Sequence, residues 1–353
     1  MSARAVVRKR RPSIGNITLG EVALAAKVSP MTVSNYINGK FQHMREDTRQ
    51  RVASAVERLN YRPHTAARGL RRSKHLSVGV VIVDESPLYL SDGYTNEVIS
   101  GLTNRLNEHD LTLQLEGRTA AGFARSSLIR DVRTDGLFVM LSGSDPARRS
   151  LLDIAMRLKQ PIVVLLEQVE GQNRDICCVT QDDRTGGRLL AEHLLERGAR
   201  RLLFLRHSLS QWWAVGERER GIAAAVARFR KGATLTAVDC GNGSFDEAQA
   251  SLRETIERYG LPDAVMGAND RIGIAALKFL KSRKIAVPGQ VKVTGFNAFD
   301  FWRYSSLILT TVRSRGYEIG QIAGDEMVRR LSEGRFSRKS VKLPLKMVLG
   351  DTT

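Results

Sequence analysis

The sequence predicts an all-α headpiece over residues 17–62, joined through residues 63–75 to a two-lobed α/β domain over 76–353. Three observations carry that prediction: closely spaced helix caps and stops in the first part, alternating strand and helix patterns from Leu76 onward, and more strands than one small sheet accommodates. At 353 residues the chain fits two or three folding units, and its 42% hydrophobic and 26% charged content excludes wholesale disorder.

Residues 1–16 form a basic extension. Arg4, Arg8, Lys9, Arg10 and Arg11 lead into no apolar segment, so no export signal is expected, and no apolar run is long enough to span a bilayer. The cytoplasm is the expected compartment, without a membrane partner. Charge is unevenly spread. Residues 1–75 hold 16 basic and 4 acidic side chains, whereas the rest holds 39 and 33. A basic end beside a nearly balanced body points to a polyanion as partner for that end.

The first helix opens on Thr18-Leu-Gly-Glu21, a capping box in which the Thr18 hydroxyl takes the Glu21 amide and the Glu21 carboxylate reaches back. Val22, Ala23 and Ala26 give it an apolar stripe, and Lys27-Val28 form a turn. Ser29 caps a second helix with Pro30 at its first position, and Asn38-Gly39 stops it. Two such short helices cannot bury a core, and residues 47–59 supply a third through Val52, Ala55, Val56 and Leu59. This is a helix-turn-helix pattern. Val28, Val33 and Ile37 face inward, leaving Pro30, Met31, Thr32, Ser34 and Asn35 at the exposed start of the helix that enters a major groove. Asn35 suits an adenine edge, Pro30 and Met31 a thymine methyl, and Thr32 and Ser34 phosphate. Next comes HTAARGLRR (64–72), helix-capable but too short to hold in isolation, with Arg68, Arg71 and Arg72 around Ala66, Ala67 and Leu70.

TLGEVALAAKVSPMTVSNYING (18–39), TRQRVASAVERLNYRP (48–63) and AARGL (66–70) together resemble the headpiece and hinge of the lactose and galactose repressor family. The resemblance implies a homodimer on a palindromic double-stranded operator, with Pro30, Met31 and Asn35 reading major-groove bases. It also implies that Leu70 wedges between base pairs from the minor groove and that the hinge helix forms only on the operator. Thr18, Ser29, Thr32, Ser34, Asn38, Tyr61, Ala67 and Arg71 complete the expected DNA-binding set. The chain departs from the family pattern at Asn35, where Arg is common, at His64, where Asn is common, and at Arg45, where a Ser cap is common.

From residue 76 onward, apolar stretches at 76–83, 111–115, 136–141, 161–166, 201–205, 234–238, 264–266 and 291–296 read as strands with helices between them. Cys177 and Cys178 sit in the apolar run 176–179 and read as core; with Cys240 they are too few for a disulfide framework or a thiolate zinc site. The resemblance continues through DGLFVML (135–141), DDRTGGRLLAEHLLERGARRLLFL (182–205), RERGIAAA (218–225), AND (268–270), VPGQVKVTGFN (287–297) and LTTVRSRGYEIGQIA (309–323). It implies a periplasmic-binding-protein-like domain whose chain crosses between lobes three times. Lobe one would be about 76–178 plus 310–334, carrying most of the dimer contact, and lobe two about 180–308 plus 336–350.

The implied ligand is a small-molecule effector, a sugar or sugar acid. Arg218 offers a planar fork for a carboxylate or a hydroxyl pair and matches the family's ligand-holding Arg, or else forms a structural ion pair. Asn297 stands where the family commonly has Asp, and loss of that charge suits a ligand with its own carboxylate, such as gluconate or a keto-gluconate. Tyr89 lines the pocket or packs in its loop; Asp270 meets the ligand or caps the helix that follows; Trp213 and Trp302, with Trp212, offer a sugar platform or pack in loops. Gly243 stands near a position where sugar-responsive relatives carry an aromatic.

An enzyme is not expected. Gly186-Gly187 and Cys240-Gly-Asn-Gly243 lack nucleotide-loop spacing, no HExxH pattern offers a metal site, and His207 followed by Ser208 and Ser210 makes no relay. No cofactor is expected. A stand-alone solute-binding protein and an architectural DNA binder are the alternatives; the attached head speaks against the first. No leucine heptad follows the last apolar strand, so the expectation is a dimer without further assembly.

Overall fold

The computed structural model describes residues 17–353 apart from 38, 43, 60, 62–76, 132–133, 170–174, 208–211, 230–231 and 301–306. The expectations for Asn38, Ala67, Leu70, Arg71 and Trp302 lie outside the described residues. The chain divides into two compact units, residues 1–75 and 76–353.

In the first unit α1 (Leu19–Ala26), α2 (Pro30–Ile37) and α3 (Glu46–Arg58) enclose a small core of Val22, Ala23, Ala26, Val33, Val52 and Ala55. Val28, Ile37, Val56, Leu59 and Tyr61 pack around it, half-buried. The Thr18–Glu21 capping box forms as its spacing requires. α1 then ends on Lys27 in left-handed geometry, φ 54°. α3 starts at Arg45, which gives no side-chain cap; Glu46 and Asp47 in the first turn face the positive end of the helix dipole instead.

The second unit opens with β1 (Ser77–Val83), α4 (Gly93–Asn107), β2 (Thr112–Arg118), the single turn α5 (Ser127–Arg130), β3 (Leu137–Met140), α6 (Asp145–Met156), β4 (Ile162–Leu165) and β5 (Ile176–Gln181). Its parallel sheet has the order β11-β5-β4-β3-β1-β2, with β11 (Ser340–Leu343) coming from near the end of the chain. Alternate side chains enter separate cores on its two faces: Val78, Val80 and Ile82 on one, Val81 and Val83 on the other. Cys177 and Cys178 split in the same way, and burial pushes the Cys177 thiol up to about 12. Both are packing residues.

After β5 the chain passes into α7 (Asp183–Glu196), β6 (Arg201–Arg206), α8 (Trp213–Arg228), β7 (Thr234–Asp239), α9 (Phe245–Tyr259), β8 (Ala264–Gly267), α10 (Asp270–Ser282) and β9 (Lys292–Thr294). The order here is β7-β6-β8-β9, again parallel. β9 is shorter than the predicted strand because the backbone leaves extended geometry at Asn297, φ 110°, and Ala298, φ 55°.

The lobe limits differ from the sequence expectation. β10 (Thr311–Arg313) is bridged to lobe two through Thr294↔Thr310 and Asn297↔Arg313, so the lobe-one return begins only with α11 (Gly316–Glu333). β11 (Ser340–Leu343), expected in lobe two, pairs parallel with β5 of lobe one, Ser340↔Cys178 to Leu343↔Gln181. Its buried Val341 and Leu343 alternate with exposed Ser340 and Lys342, a pattern that fits an edge strand of either sheet. Only β12 (Lys346–Val348) returns, antiparallel to β10. The three crossings stand. Among the described residues no helix is long and apolar enough to cross a membrane.

Candidate functional sites

In the headpiece the start of α2, where the reading residues were expected, is open to solvent at Pro30 and Met31. Ser29 Oγ accepts the Thr32 amide at 3.2 Å and lies 3.0 Å from Thr32 Oγ1, so both hydroxyls take part in the cap. Pro30 and Met31 stand clear of it, Met31 62% exposed although apolar, while Val33 is fully buried beneath them. Ser34 and Asn35 are half-buried on the flank. Behind this surface Tyr36 meets Phe41 edge-on at 5.7 Å, and the Arg49 guanidinium lies 4.2 Å above the Phe41 ring. Thr18 is held by the α1 cap, and the Tyr61 amide donates to Val56 O at 3.0 Å. Apolar groups thus stand free to contact a partner, and the polar groups near them are oriented by caps.

The second site is built at the carboxyl ends of the lobe-two strands, where open α/β sheets hold ligands. Arg218, in the second turn of α8, is buried. Its Nε donates to Asp183 Oδ1 at 2.9 Å and its Nη1 to Ala268 O at 2.5 Å, and the guanidinium stacks 3.7 Å above the Phe296 ring. Nη2 has no hydrogen-bond partner among the described residues. Asp183, the first residue of α7, is buried too; burial raises its pKa while Arg218 opposes the rise. Close helix contact sets the pair: a methyl group on Gly187 would come within 2.2 Å of Arg218 O, and one on Gly221 within 1.9 Å of Arg184 O. Only glycine lets α7 and α8 approach so closely.

Asn297 is buried beside a lobe crossing. Its Oδ1 accepts from Ser314 Oγ at 2.8 Å, which leaves Nδ2 as the free end of the amide. Gln181 ties the crossings together, donating to Ser314 Oγ at 3.2 Å and to Asp183 Oδ1 at 3.1 Å and accepting the Arg315 amide at 3.2 Å. Tyr94 of α4 approaches from lobe one, buried and near enough to feel the charges of Asp183 and Arg218; its hydroxyl has no partner among the described residues.

Other candidates sit differently. Asp270 does not cap α10: Asn269 does, its Oδ1 accepting the Ile272 amide at 3.0 Å. Asp270 is buried, accepts from Thr311 Oγ1 at 2.6 Å and from the Phe299 amide at 3.1 Å, and burial raises its carboxyl to about 7. Tyr89 lies half-buried with its ring over Gly117 of β2, packed on the lobe-one core. Trp213 does not join Arg218. With Trp212, Gly216, Glu219, Arg220 and Ala223 it lines a groove of about 530 Å³ closed on the lobe-one side by Ser144 and Asp145. Buried Arg148 holds that rim by bonding Glu167 at 2.9 Å as well as Gly143 O and the Asp145 carboxylate. Sequence reasoning missed Asp183 and Tyr94 and weighed His207 only as a catalytic relay. Asp183 left a signal, a carboxylate at a strand-to-helix junction, and His207 follows the matched stretch 182–205 by two positions, whereas Tyr94 lies in no motif. Among the described residues no cluster of His, Cys, Asp or Glu could hold a metal ion.

The profile described as bacterial regulatory proteins, lacI family, matches residues 18–64, and that of a periplasmic binding protein-like domain matches 191–353. The chain is 28% identical over 319 residues to the HTH-type transcriptional repressor PurR of Vibrio atlanticus (strain LGP32), covering 90% of this chain and 92% of the relative. Catabolite control protein A of Priestia megaterium is 24% identical over 345 residues, 96% of this chain and 99% of the relative. Its fold matches a lac repressor dimer bound to operator and the anti-inducer ONPF with TM-score 0.81 at 20% identity, over 96% of this chain and 99% of that one. A capped helix-turn-helix unit joined to a two-lobed domain with a buried arginine between strand ends, together with these matches, makes the chain a member of the LacI family of DNA-binding regulators, which are controlled by small molecules and are not enzymes.

Proposed function

We propose that the protein is a dimeric repressor that sets one headpiece on each half of a palindromic operator and changes its operator affinity when a small sugar or sugar acid binds between the lobes. The observation that carries the effector reading is Arg218, buried, oriented by Asp183 and Ala268, and with Nη2 left for a ligand. Asn297 adds a second donor, Nδ2, tied to Arg218 through Ser314, Gln181 and Asp183. The two donors, Arg218 Nη2 and Asn297 Nδ2, favour a ligand rich in acceptors, which selects sugar acids such as gluconate over neutral sugars. Support for a carbohydrate comes also from a LacI family regulator of Enterococcus faecium with bound ribose, whose fold is similar (TM-score 0.66, 19% identity, 78% of this chain and 98% of that one). Ligand between the lobes favours one lobe angle, which alters the separation of the paired hinges and so the cost of ordering them on DNA.

A thermal-shift screen of sugars and sugar acids, repeated on Arg218→Ala, tests the effector. Stabilisation by gluconate or a keto-gluconate that vanishes in the variant is expected; binding of neutral hexoses alone would overturn the choice. On the DNA side, Pro30, Met31 and Asn35 are assigned to bases and Leu70 to a minor-groove wedge. Leu70→Ala is expected to weaken operator binding much more than binding to random DNA at one salt concentration, and equal losses would refute the wedge.

A further inference from the structure

His207 follows β6 at the carboxyl edge of the lobe-two sheet, half-buried against Gly243 and Asn269, with its Nδ1 atom fully covered. Gly243 makes room for it: a methyl group there would come within 2.6 Å of the imidazole Cδ2. The hydrogen bonds around the ring fix its tautomer. Asn269 Oδ1 is taken by the Ile272 amide at 3.0 Å as the cap of α10, so its Nδ2 is the end that faces His207 Nε2, at 3.3 Å. An amide nitrogen only donates, so Nε2 accepts. The ring is neutral, because burial, Arg218 and Arg271 hold its pKa down to about 4 against the opposing pull of Glu247. Its one proton is therefore on Nδ1. That atom is buried and has no partner among the described residues. Glu247 does not serve, since its carboxylate takes the Ser244 amide at 3.1 Å and the Ser244 hydroxyl at 2.6 Å in the α9 capping box.

We infer that His207 is a specificity-determining residue whose Nδ1–H donates to an oxygen acceptor of the effector, on the same strand-end rim as Arg218. The inference rests on the effector reading of this cleft and deepens it: the ligand carries an acceptor beyond the group that Arg218 holds. A buried donor left without a partner among the described residues penalises any analogue that presents carbon or hydrogen to it.

Two measurements on the full chain separate this assignment from the choice of sugar acids. Nitrogen NMR on isotope-labelled histidine, with His207 identified by its loss in His207→Phe, is expected to show a protonated Nδ1 and a bare Nε2 at neutral pH; the opposite tautomer overturns the assignment. Calorimetric titrations of gluconate, keto-gluconate, glucose and ribose follow, on wild type, His207→Phe and His207→Gln, with thermal melts confirming that each variant is folded. Any of the four that binds wild type is expected to bind His207→Phe about 10-fold or more weakly, with part of the loss recovered in His207→Gln, which keeps a donor. Unchanged affinity in a folded His207→Phe overturns the role. If none of the four binds, the sugar-acid reading fails, and the tautomer alone decides whether the donor exists.

Discussion

The headpiece and the effector cleft solve the same problem, presenting chemistry to a partner, in opposite ways. In the headpiece the groups at the start of α2 lie within a few residues of one another, exposed or half-buried, and the cap that supports them spans three positions in sequence. In the cleft Tyr94, Asp183, His207, Arg218, Asn297 and Ser314 come from all along the second unit, and all are buried except half-buried His207. A surface reader can change its partner without touching its core. A buried site cannot, because the groups that bind also hold the fold.

The sharpest test of that contrast is Arg218→Ala. It leaves the Asp183 carboxylate buried without its counter-ion and is expected both to cost about 3–5 kcal/mol and to abolish effector binding. Urea unfolding monitored on the second unit reads the first loss and the thermal-shift screen the second. Replacing both partners, Arg218→Met with Asp183→Leu, is expected to recover most of the stability and none of the binding. Were Arg218→Ala to bind nothing yet unfold like wild type, binding and folding would be separable in the cleft after all.

Next in size are two titrations with opposite signs. His207 stays neutral in the fold down to about 4, whereas in the unfolded chain it protonates below 6.5, so acidification through that window favours unfolding. Asp270 keeps its proton in the fold up to about 7, while the unfolded carboxyl loses it near 3.8, so raising the pH through that window favours unfolding. Each contributes on the order of 3 kcal/mol across its window. Relative to wild type, His207→Phe is expected to tilt stability toward acid pH and Asp270→Asn toward neutral pH. Urea midpoints at about pH 4.5 and about pH 6.5 measure both, and a common tilt would show that neither group is buried in the state described.

The same contrast explains what could be read from the chain alone. The capping box at Thr18, the Ser29-Pro30 start and the inward Val33 are local, and local rules specify them. Strand and helix alternation likewise gave the layers. Which sheet receives β11 depends on pairing between residues 340–343 and 178–181, across 162 positions, and no period encodes that. Asp270 looked like a cap because it opens α10, yet its neighbour Asn269 takes that role and Asp270 instead ties the Thr311 strand and the Phe299 amide. Trp213 and Arg218 are five positions apart in sequence and serve different surfaces.

The smallest stability effects belong to the headpiece. Thr18→Ala removes the reciprocal cap of α1 and is expected to cost about 1 kcal/mol in the melting of the isolated residues 1–75, provided that unit remains folded alone. Met31→Ala is expected to change that stability by less than about 0.5 kcal/mol, since the side chain is 62% exposed and has no part in the core. If Met31 contacts a base, the same substitution still weakens operator binding while leaving random-DNA binding, which depends on phosphate contacts, almost unchanged. Binding isotherms on operator and scrambled DNA at matched salt separate the two. A Met31→Ala protein that melts early would mean that this side chain supports the fold, and the division between a reader that is all surface and a cleft that is all interior would fail at its most exposed residue.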